Sequence, residues 1–203
     1  RKTTEARKLG EDFLRQYIDA STGAQKLDGK LILGRFYETL QDQAAAVSAY
    51  LDAERNVDEW LKDLPDIRQR AKVAVSVSLA EYYGRLNRHA ETVEAYRAAL
   101  SHVKADQGSS AQDIRLKMVK ALMANQQYGD AQKELDACEK EFASDYRIKG
   151  LRAEWVLRQN TDEAAMTAAG NFLTQAIAAR GDDLWSLYTR ARVYIAQRRY
   201  NDA

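Results

Sequence analysis

Apolar side chains recur at intervals of three and four residues along almost the whole chain, with polar residues between them. Near the start, Ala6, Leu9, Phe13 and Tyr17 follow this spacing. A stripe with this period predicts an amphipathic helix. No segment alternates apolar and polar residues for long enough to predict a strand. The expected fold class is therefore all-α.

Breaks at polar or glycine-containing segments divide the chain into helices. The predicted spans are 3–20, 26–40, 43–56, 65–86, 89–104, 110–125, 128–142, 145–159, 162–179 and 183–197. Residues 57–64 either extend the third helix or form a short one of their own. Pro65 suits the first turn of the next helix, where its missing N–H costs nothing.

Two segments are predicted connectors, 21–29 because it is polar and contains glycine, and 105–109 because it reads Ala-Asp-Gln-Gly-Ser. Ser110 with Asp113 resembles a capping box, which predicts a helix start at Ser110.

The same order of small and large residues occurs in several helix pairs. A small residue in the first helix is followed by Tyr or Leu after three residues, a small residue after twelve, Tyr or Leu after sixteen and a small residue after nineteen. We call these positions the template, and four segments follow it. They are Gly34, Tyr37, Ala46, Tyr50 and Ala53; Ala80, Tyr83, Thr92, Tyr96 and Ala99; Val119, Leu122, Ala131, Leu135 and Cys138; and, as far as the chain extends, Ala191, Tyr194 and Ala203. Small residues let two helices cross closely, and the large ones fill the space beside each crossing.

This pattern resembles the tetratricopeptide repeat (TPR) signature. Leu33-Gly34-x-x-Tyr37 followed by Ala46, Tyr50 and Ala53 is similar to Leu-Gly-x-x-Tyr, then Ala, an aromatic residue and Ala. The resemblance covers roughly 26–203 and implies a right-handed α-solenoid of antiparallel helix hairpins, a TPR-like superhelix. The repeats are longer than the family's period of about 34 residues. The extra residues fall at 56–65 and 105–109, between hairpins.

The expected organisation is a single TPR-like repeat domain over 1–203. Its repeats are approximately 26–56, 66–104, 110–142, 145–180 and an incomplete 183–203, and 1–20 is the second helix of a preceding repeat. In the fourth pair, either Ala153 or Arg152 stands at the crossing. The chain lacks an initial Met and reaches Ala203 just after a helix-initiating pattern, so we expect a fragment of a longer protein.

A TPR-like superhelix presents a concave face lined by its first helices. The resemblance therefore implies that partner-binding residues lie one residue after, one turn after or three residues before each crossing. The candidates are Arg35, Glu38, Glu81, Lys120, Met123, Tyr188 and Arg192. A mixture of polar and apolar rows suits a peptide or extended segment. The carboxylate clamp of chaperone co-adaptors needs Lys and Asn where this chain has Leu31 and Arg35, so that role is disfavoured.

Charge balance, residue spacing and the absence of catalytic motifs argue against several other functions. The 31 basic and 30 acidic residues give a net charge of +1, so no nucleic-acid footprint is expected. His89 and His102 have no metal-ligand spacing around them. Cys138 falls on a small-residue position, which favours a buried, inert thiol. No catalytic motif occurs, so we expect a non-enzyme with no cofactor and no metal.

Acidic pairs at 58–59, 162–163 and 182–183 are expected at helix starts, where they compensate the helix dipole. The template assigns Tyr37, Tyr50, Tyr83, Tyr96 and Tyr194 to the core. Tyr82, Tyr188 and Trp185 are freer, and Trp60 is expected to pin the segment before Pro65 onto a neighbouring helix.

The leading hypothesis is a non-enzymatic protein–protein interaction scaffold that binds a peptide or partner protein on its concave face. The alternative is a periplasmic TPR superhelix of a bacterial secretion or exopolysaccharide-export system, with polysaccharide as a possible partner. A third class is a regulatory array fused to an enzyme or DNA-binding domain. No apolar run is long enough to cross a bilayer, and cytoplasm and bacterial periplasm both stay open.

Overall fold

Ten α-helices make up the described part of the computed structural model, which covers residues 2–104, 108–160 and 162–197. No strand occurs in these ranges, and the all-α prediction is confirmed. The helices are α1 (Lys2–Ala20), α2 (Gly23–Thr39), α3 (Gln43–Trp60), α4 (Pro65–Arg85), α5 (His89–Ser101), α6 (Gly108–Ala124), α7 (Tyr128–Glu141), α8 (Tyr146–Gln159), α9 (Glu163–Ala179) and α10 (Leu184–Ala196).

The chain divides into two compact units, Arg1–Asp106 and Gln107–Ala203. In the first unit, each helix from α1 to α5 packs on the next, most extensively within the α2–α3 and α4–α5 hairpins. In the second unit, α6 pairs with α7, α8 pairs with α9, α10 packs on α9, and α8 also contacts α6 and α7. Packing between chain neighbours is typical of a solenoid-like helical repeat protein. The assignment of the whole chain to one repeat domain stays a prediction.

The repeated small and large residues form the core of the first three hairpins. All fifteen template positions from Gly34 to Cys138 are buried. Ala46, Ala80 and Ala131 have no exposed surface, which is what a close helix crossing requires. The spacing found in the sequence therefore marks the core.

The same three hairpins also turn in the same way. In each hairpin, the residue seven positions after the first small residue of the template adopts a left-handed conformation. These residues are Gln41 (φ 58°), Asn87 (φ 56°) and Gln126 (φ 59°). The next amide donates to the carbonyl five residues back, in the bonds Asp42 to Tyr37 (3.0 Å), Arg88 to Tyr83 (2.9 Å) and Gln127 to Leu122 (2.8 Å). This is the Schellman motif, which usually places glycine at the left-handed position. The repeats thus share backbone geometry as well as side-chain pattern.

The extra residues 56–65 extend α3 rather than form a separate helix. After Trp60 the chain makes a tight turn, and Pro65 is the first residue of α4 as predicted. Leu61 is completely buried in a cluster with Val57 and Val75, and Trp60 packs against that cluster. The Lys26 ammonium of α2 lies 5.7 Å from the centre of the Trp60 ring. The predicted pinning role of Trp60 is confirmed.

Two predicted connectors are wrong in extent. Segment 21–29 reduces to Ser21 and Thr22, because Gly23 makes the bend with a positive φ of 54° and starts α2. Segment 105–109 is shortened because α6 already begins at Gly108. Residues 105–107 lie outside the described part of the chain.

Two predicted helix starts are also wrong. Ser110 lies inside α6, so it does not cap that helix. Asp58 lies near the end of α3, where its carboxylate pairs with Lys72 at 2.7 Å. By contrast, Asp162 and Asp183 cap α9 and α10. A local acidic pattern signals a helix start only where the preceding helix has ended.

In the fourth hairpin the structure selects Ala153 over Arg152. Ala153 is completely buried in a cluster with Ala169 and Leu173, whereas the guanidinium of Arg152 reaches the carboxylates of α7. Ala153 therefore stands at the helix crossing. None of the helices in the described ranges combines the length and apolar character needed to cross a lipid bilayer.

Candidate partner-binding groove

Three predicted site residues lie in the first unit. Arg35 is exposed on α2, and Glu81 is half-buried on α4. Burial, reinforced by the charge of Glu81, raises the pKa of Tyr96 to about 12. Glu81 thus lies near a core tyrosine.

Glu38 links three helices of the first unit. Its Oε1 accepts a hydrogen bond from the Tyr50 hydroxyl at 2.6 Å, and its Oε2 accepts one from Arg85 at 2.6 Å. Burial, reinforced by this carboxylate, raises the pKa of Tyr50 well above its ordinary value. Because both oxygens are engaged with α3 and α4, Glu38 is a structural link within the unit.

The second unit carries two cavities that share Trp185. The first has a volume of about 340 Å³ and lies among α6, α8 and the start of α10, with Lys117, Lys120, Arg147 and Ser186 in its wall. We call it the basic pocket.

The second cavity has a volume of about 520 Å³, lies among α8, α9 and α10, and is lined by Leu157, Met166, Tyr188 and Val193 beside Trp185. We call it the apolar pocket, and the two pockets together the groove.

Arg147 is held rigidly at the edge of the basic pocket. Its Nη1 donates to Asp113 at 2.7 Å, while Nε and Nη2 donate to Asp145 at 3.0 and 2.7 Å. Burial alone would raise the pKa of Asp145, but the hydrogen bonds from the Arg147 side chain and backbone outweigh it and lower the pKa. In contrast, Lys120 is exposed and enters no ion pair within the described ranges. Its ammonium can therefore meet a ligand.

Ser186 supplies a buried hydroxyl to the same pocket. Only 1% of the residue is exposed, and its Oγ has no hydrogen-bond partner in the described part of the chain. Its backbone N–H donates to Asp183 at 3.1 Å, which fixes the first turn of α10. Buried hydroxyls normally have a partner. Ser186 thus places an unsatisfied, buried hydroxyl at the wall of the basic pocket.

Gly150 allows Trp185 to lie against the backbone of α8. A Cβ at position 150 would stand 3.0 Å from Cζ3 of the indole and 3.5 Å from the Ser186 Oγ. Real Cβ atoms rarely tolerate such a close contact. The glycine therefore sets the position of the ring that separates the two pockets.

The apolar pocket combines rigid and adaptable side chains. Val193 is buried, Met166 and Leu157 are half-buried, and Tyr188 is 64% exposed. The guanidinium of Arg192 lies 5.7 Å from the centre of the Tyr188 ring. Exposed aromatic rings beside aliphatic walls are typical of sites that anchor a partner side chain.

Three of the predicted site residues line the groove, and a fourth is completely buried. Lys120 lines the basic pocket, and Tyr188 and Arg192 line the apolar pocket. Met123 has no exposed surface, so the prediction that it contacts a partner is wrong. It lies one turn after the crossing at Val119, on a side of α6 that neighbouring residues cover.

Several groove residues are absent from the predicted set because the sequence alone fits either Ala153 or Arg152 at the crossing of α8. With Ala153 as the crossing residue, the same spacing rule selects Gly150, Glu154 and Leu157, and all three line the groove. Ser186 has no such signal, since a serine beside a helix cap is common.

Other chemistry-bearing residues belong to the core. Tyr82, predicted to be freer, is 4% exposed and is packed against Tyr50 with ring centres 5.9 Å apart. Cys138 is buried as predicted, and burial raises its thiol pKa to about 11. Within the described ranges, no three His, Cys, Asp or Glu residues come together as a metal site would require.

Comparison with known proteins supports the fold. No protein-family model matches the chain, and no curated protein matches it. Among solved structures, the chain is similar to the crystal structure of BtubC (BKLC) from P. vanneervenii, with a TM-score of 0.64 and 16% sequence identity over 97% of this chain and 84% of that chain. At this identity the likeness shows the fold alone, and it supports a helical repeat protein.

Proposed function

We propose that this chain is a non-enzymatic, TPR-like scaffold that binds an extended segment of a partner protein in the groove of its second unit. The observation that carries the proposal is the pair of cavities that both border Trp185, within the packing of α6, α8, α9 and α10. An extended peptide presents side chains at regular intervals, and adjacent pockets give such a ligand both affinity and register.

The composition of the groove supports a protein partner. Trp185, Tyr188 and Arg192 are of the residue types that most often carry binding energy at protein interfaces. All three are available at the surface, since Trp185 is 40% exposed, Tyr188 is 64% exposed and Arg192 is exposed. The half-buried Met166 adds a flexible wall that can adapt to different apolar side chains.

The test is affinity capture from an extract of the parent cells, with the purified chain as bait. Two single variants, Lys120→Glu and Tyr188→Ala, alter exposed groove residues without touching the core. Lys140→Glu is the matched control, because Lys140 is exposed on α7 and is not part of the lining of either pocket. The captured protein is then purified and its affinity for each variant is measured by calorimetry.

We expect the control to bind like the wild type and each groove variant to bind at least about tenfold more weakly, in line with the loss of an interface anchor. Equal binding by all variants, with unchanged helical circular dichroism, would show that the partner binds elsewhere.

A polymer-guiding role in export would use the same exposed aromatic rings to stack on sugars. This alternative is tested by electrophoresis of the chain through gels that contain a soluble polysaccharide. Retardation that Tyr188→Ala abolishes would favour polymer guiding over protein binding.

A further inference from the structure

The basic pocket has the features of a site for a single carboxylate. It is bordered by the first turns of α8 and α10, which contribute Tyr146, Arg147, Trp185 and Ser186 to its wall. Asp145 and Asp183 cap these two helices and compensate the partial positive charge of their N-termini, so the positive charge that a ligand can meet comes from side chains. The independent observation is Ser186, which lines this pocket and whose hydroxyl is buried and lacks a partner in the described ranges.

The charges around the pocket favour a monovalent anion over a phosphate. Asp113 and Asp183 lie in the wall, where each already accepts a hydrogen bond, from Arg147 and from the Ser186 amide. Arg147 uses Nε, Nη1 and Nη2 on Asp113 and Asp145. The three cations and two carboxylates of the wall leave a net charge of +1, which one carboxylate balances and a doubly charged phosphate, without the arginine fork that usually binds it, exceeds. The Lys120 ammonium and the Ser186 hydroxyl match one carboxylate.

The apolar pocket requires a second, different side chain from the same ligand. Its volume of about 520 Å³ exceeds that of the basic pocket, at about 340 Å³, and its walls include Leu157, Met166 and Val193. A large aliphatic or aromatic side chain fills such a space and gains free energy by leaving water. The nearby Glu154 and Arg158 pair with each other at 2.8 Å, so neither requires a charge from the ligand.

The shared ring of Trp185 fixes the separation of the two ligand side chains. Both pockets border this one residue, and an extended peptide advances about 3.3 Å per residue. The two side chains must therefore be close in the ligand sequence, about two to four residues apart.

We propose that the groove recognises an extended peptide that carries a side-chain carboxylate for the basic pocket and a large apolar side chain, two to four residues away, for the apolar pocket. This inference rests on the proposed function, because it specifies the ligand of the same groove.

The experiment is selection from a displayed library of random twelve-residue peptides, flanked at both ends so that no free carboxyl terminus contributes. Parallel selections use the wild-type chain, Lys120→Glu, Tyr188→Ala and the Lys140→Glu control. One enriched peptide is then synthesised with Glu, Gln or phosphoserine at the acidic position, and binding is measured by calorimetry.

We expect the wild type and the control to enrich an acidic residue two to four positions from a large apolar one. Lys120→Glu should lose the acidic preference but keep the apolar one, and Tyr188→Ala should weaken the apolar preference. Replacement of the peptide Glu by Gln should weaken binding about three- to tenfold, as loss of an exposed charge-assisted hydrogen bond does.

The remaining outcomes separate the two proposals. Groove-dependent peptides that lack the acidic–apolar pair, or a phosphoserine peptide that binds more tightly than the Glu peptide, overturn the assigned ligand and leave peptide binding intact. No enrichment, or enrichment that neither groove variant affects, overturns peptide binding in the groove itself.

Discussion

Replacement of Gly34 by alanine tests the close helix crossing on which the repeat depends. An added Cβ would stand 2.8, 2.9 and 3.1 Å from three ring atoms of Tyr50. The ring has little room to move, because Tyr50 is only 2% exposed and its hydroxyl is hydrogen-bonded to Glu38 at 2.6 Å. The substitution therefore forces α2 and α3 apart or distorts the tyrosine.

Two opposing effects set the magnitude. Overpacking of a core costs about 1–3 kcal/mol, whereas replacement of glycine by alanine inside a helix gains about 1 kcal/mol. We expect Gly34→Ala to lower the free energy of unfolding by about 1 kcal/mol. For a unit of this size that change lowers the melting temperature by about 4 °C.

The matched control is Gly84→Ala in α4 of the same unit. There the nearest atoms to an added Cβ belong to Thr92, at 3.8 and 3.9 Å, an ordinary contact. Helix propensity is then the main effect, and it is reduced because Gly84 lies near the end of α4. We expect this variant to raise the free energy of unfolding by up to about 0.5 kcal/mol. The two variants should thus change stability in opposite directions.

The assay is urea unfolding followed by tryptophan fluorescence, with Trp155 and Trp185 replaced by phenylalanine so that Trp60 alone reports on the first unit. A second variant, Tyr50→Phe, removes the hydrogen bond that anchors the ring. If the Tyr50 ring crowds the added Cβ, the combined Gly34→Ala and Tyr50→Phe variant is more stable than the sum of the single changes predicts. A stabilising Gly34→Ala, or strict additivity, would refute the reasoning.

Three further predictions concern the second unit. Gln126→Gly should stabilise the second unit by about 0.5–1 kcal/mol, because glycine adopts the left-handed turn without strain. Gln132→Gly, inside α7, should instead destabilise the unit by about 1 kcal/mol. Thermal unfolding measures both changes. Asp145→Ala should cost about 1 kcal/mol at pH 7 through loss of the α8 cap. Because the folded pKa of Asp145 is lowered, its ionised form stabilises the unit above the unfolded pKa, and urea titrations should show this cost shrinking as the pH falls through the folded pKa. Gly150→Ala should displace the Trp185 indole from α8 and change its emission maximum and its quenching by iodide.

Each of these predictions can fail in a specific way. Equal effects of glycine at 126 and 132 would mean that the turn is not strained. A cost of Asp145→Ala that is the same at low and neutral pH would mean that the carboxylate acts through packing rather than charge. For Gly150, the control is Gly129→Ala, since an added Cβ there meets no atom within 4 Å; unchanged Trp185 emission in both variants would contradict the assigned role of Gly150.

Sequence spacing was sufficient to locate part of the groove. Lys120 and Tyr188 were found because they lie at fixed distances from a crossing residue, and every crossing orients its helix in the same way. Gly150 and Leu157 follow from the same rule once Ala153 is known to be the crossing residue. That choice needed the structure, because Ala153 and Arg152 are adjacent and only tertiary packing shows which of them is buried.

The sequence by itself determined the all-α class, most helix spans and the buried template, because these depend on a periodicity that a single helix pair already expresses. Only the tertiary structure decided which surface residues are engaged. Met123 is buried by neighbouring residues, the carboxylate of Glu38 is held by α3 and α4, and Ser186 lines a cavity bounded by three helices. These features depend on residues far apart in the chain, and no local pattern records them.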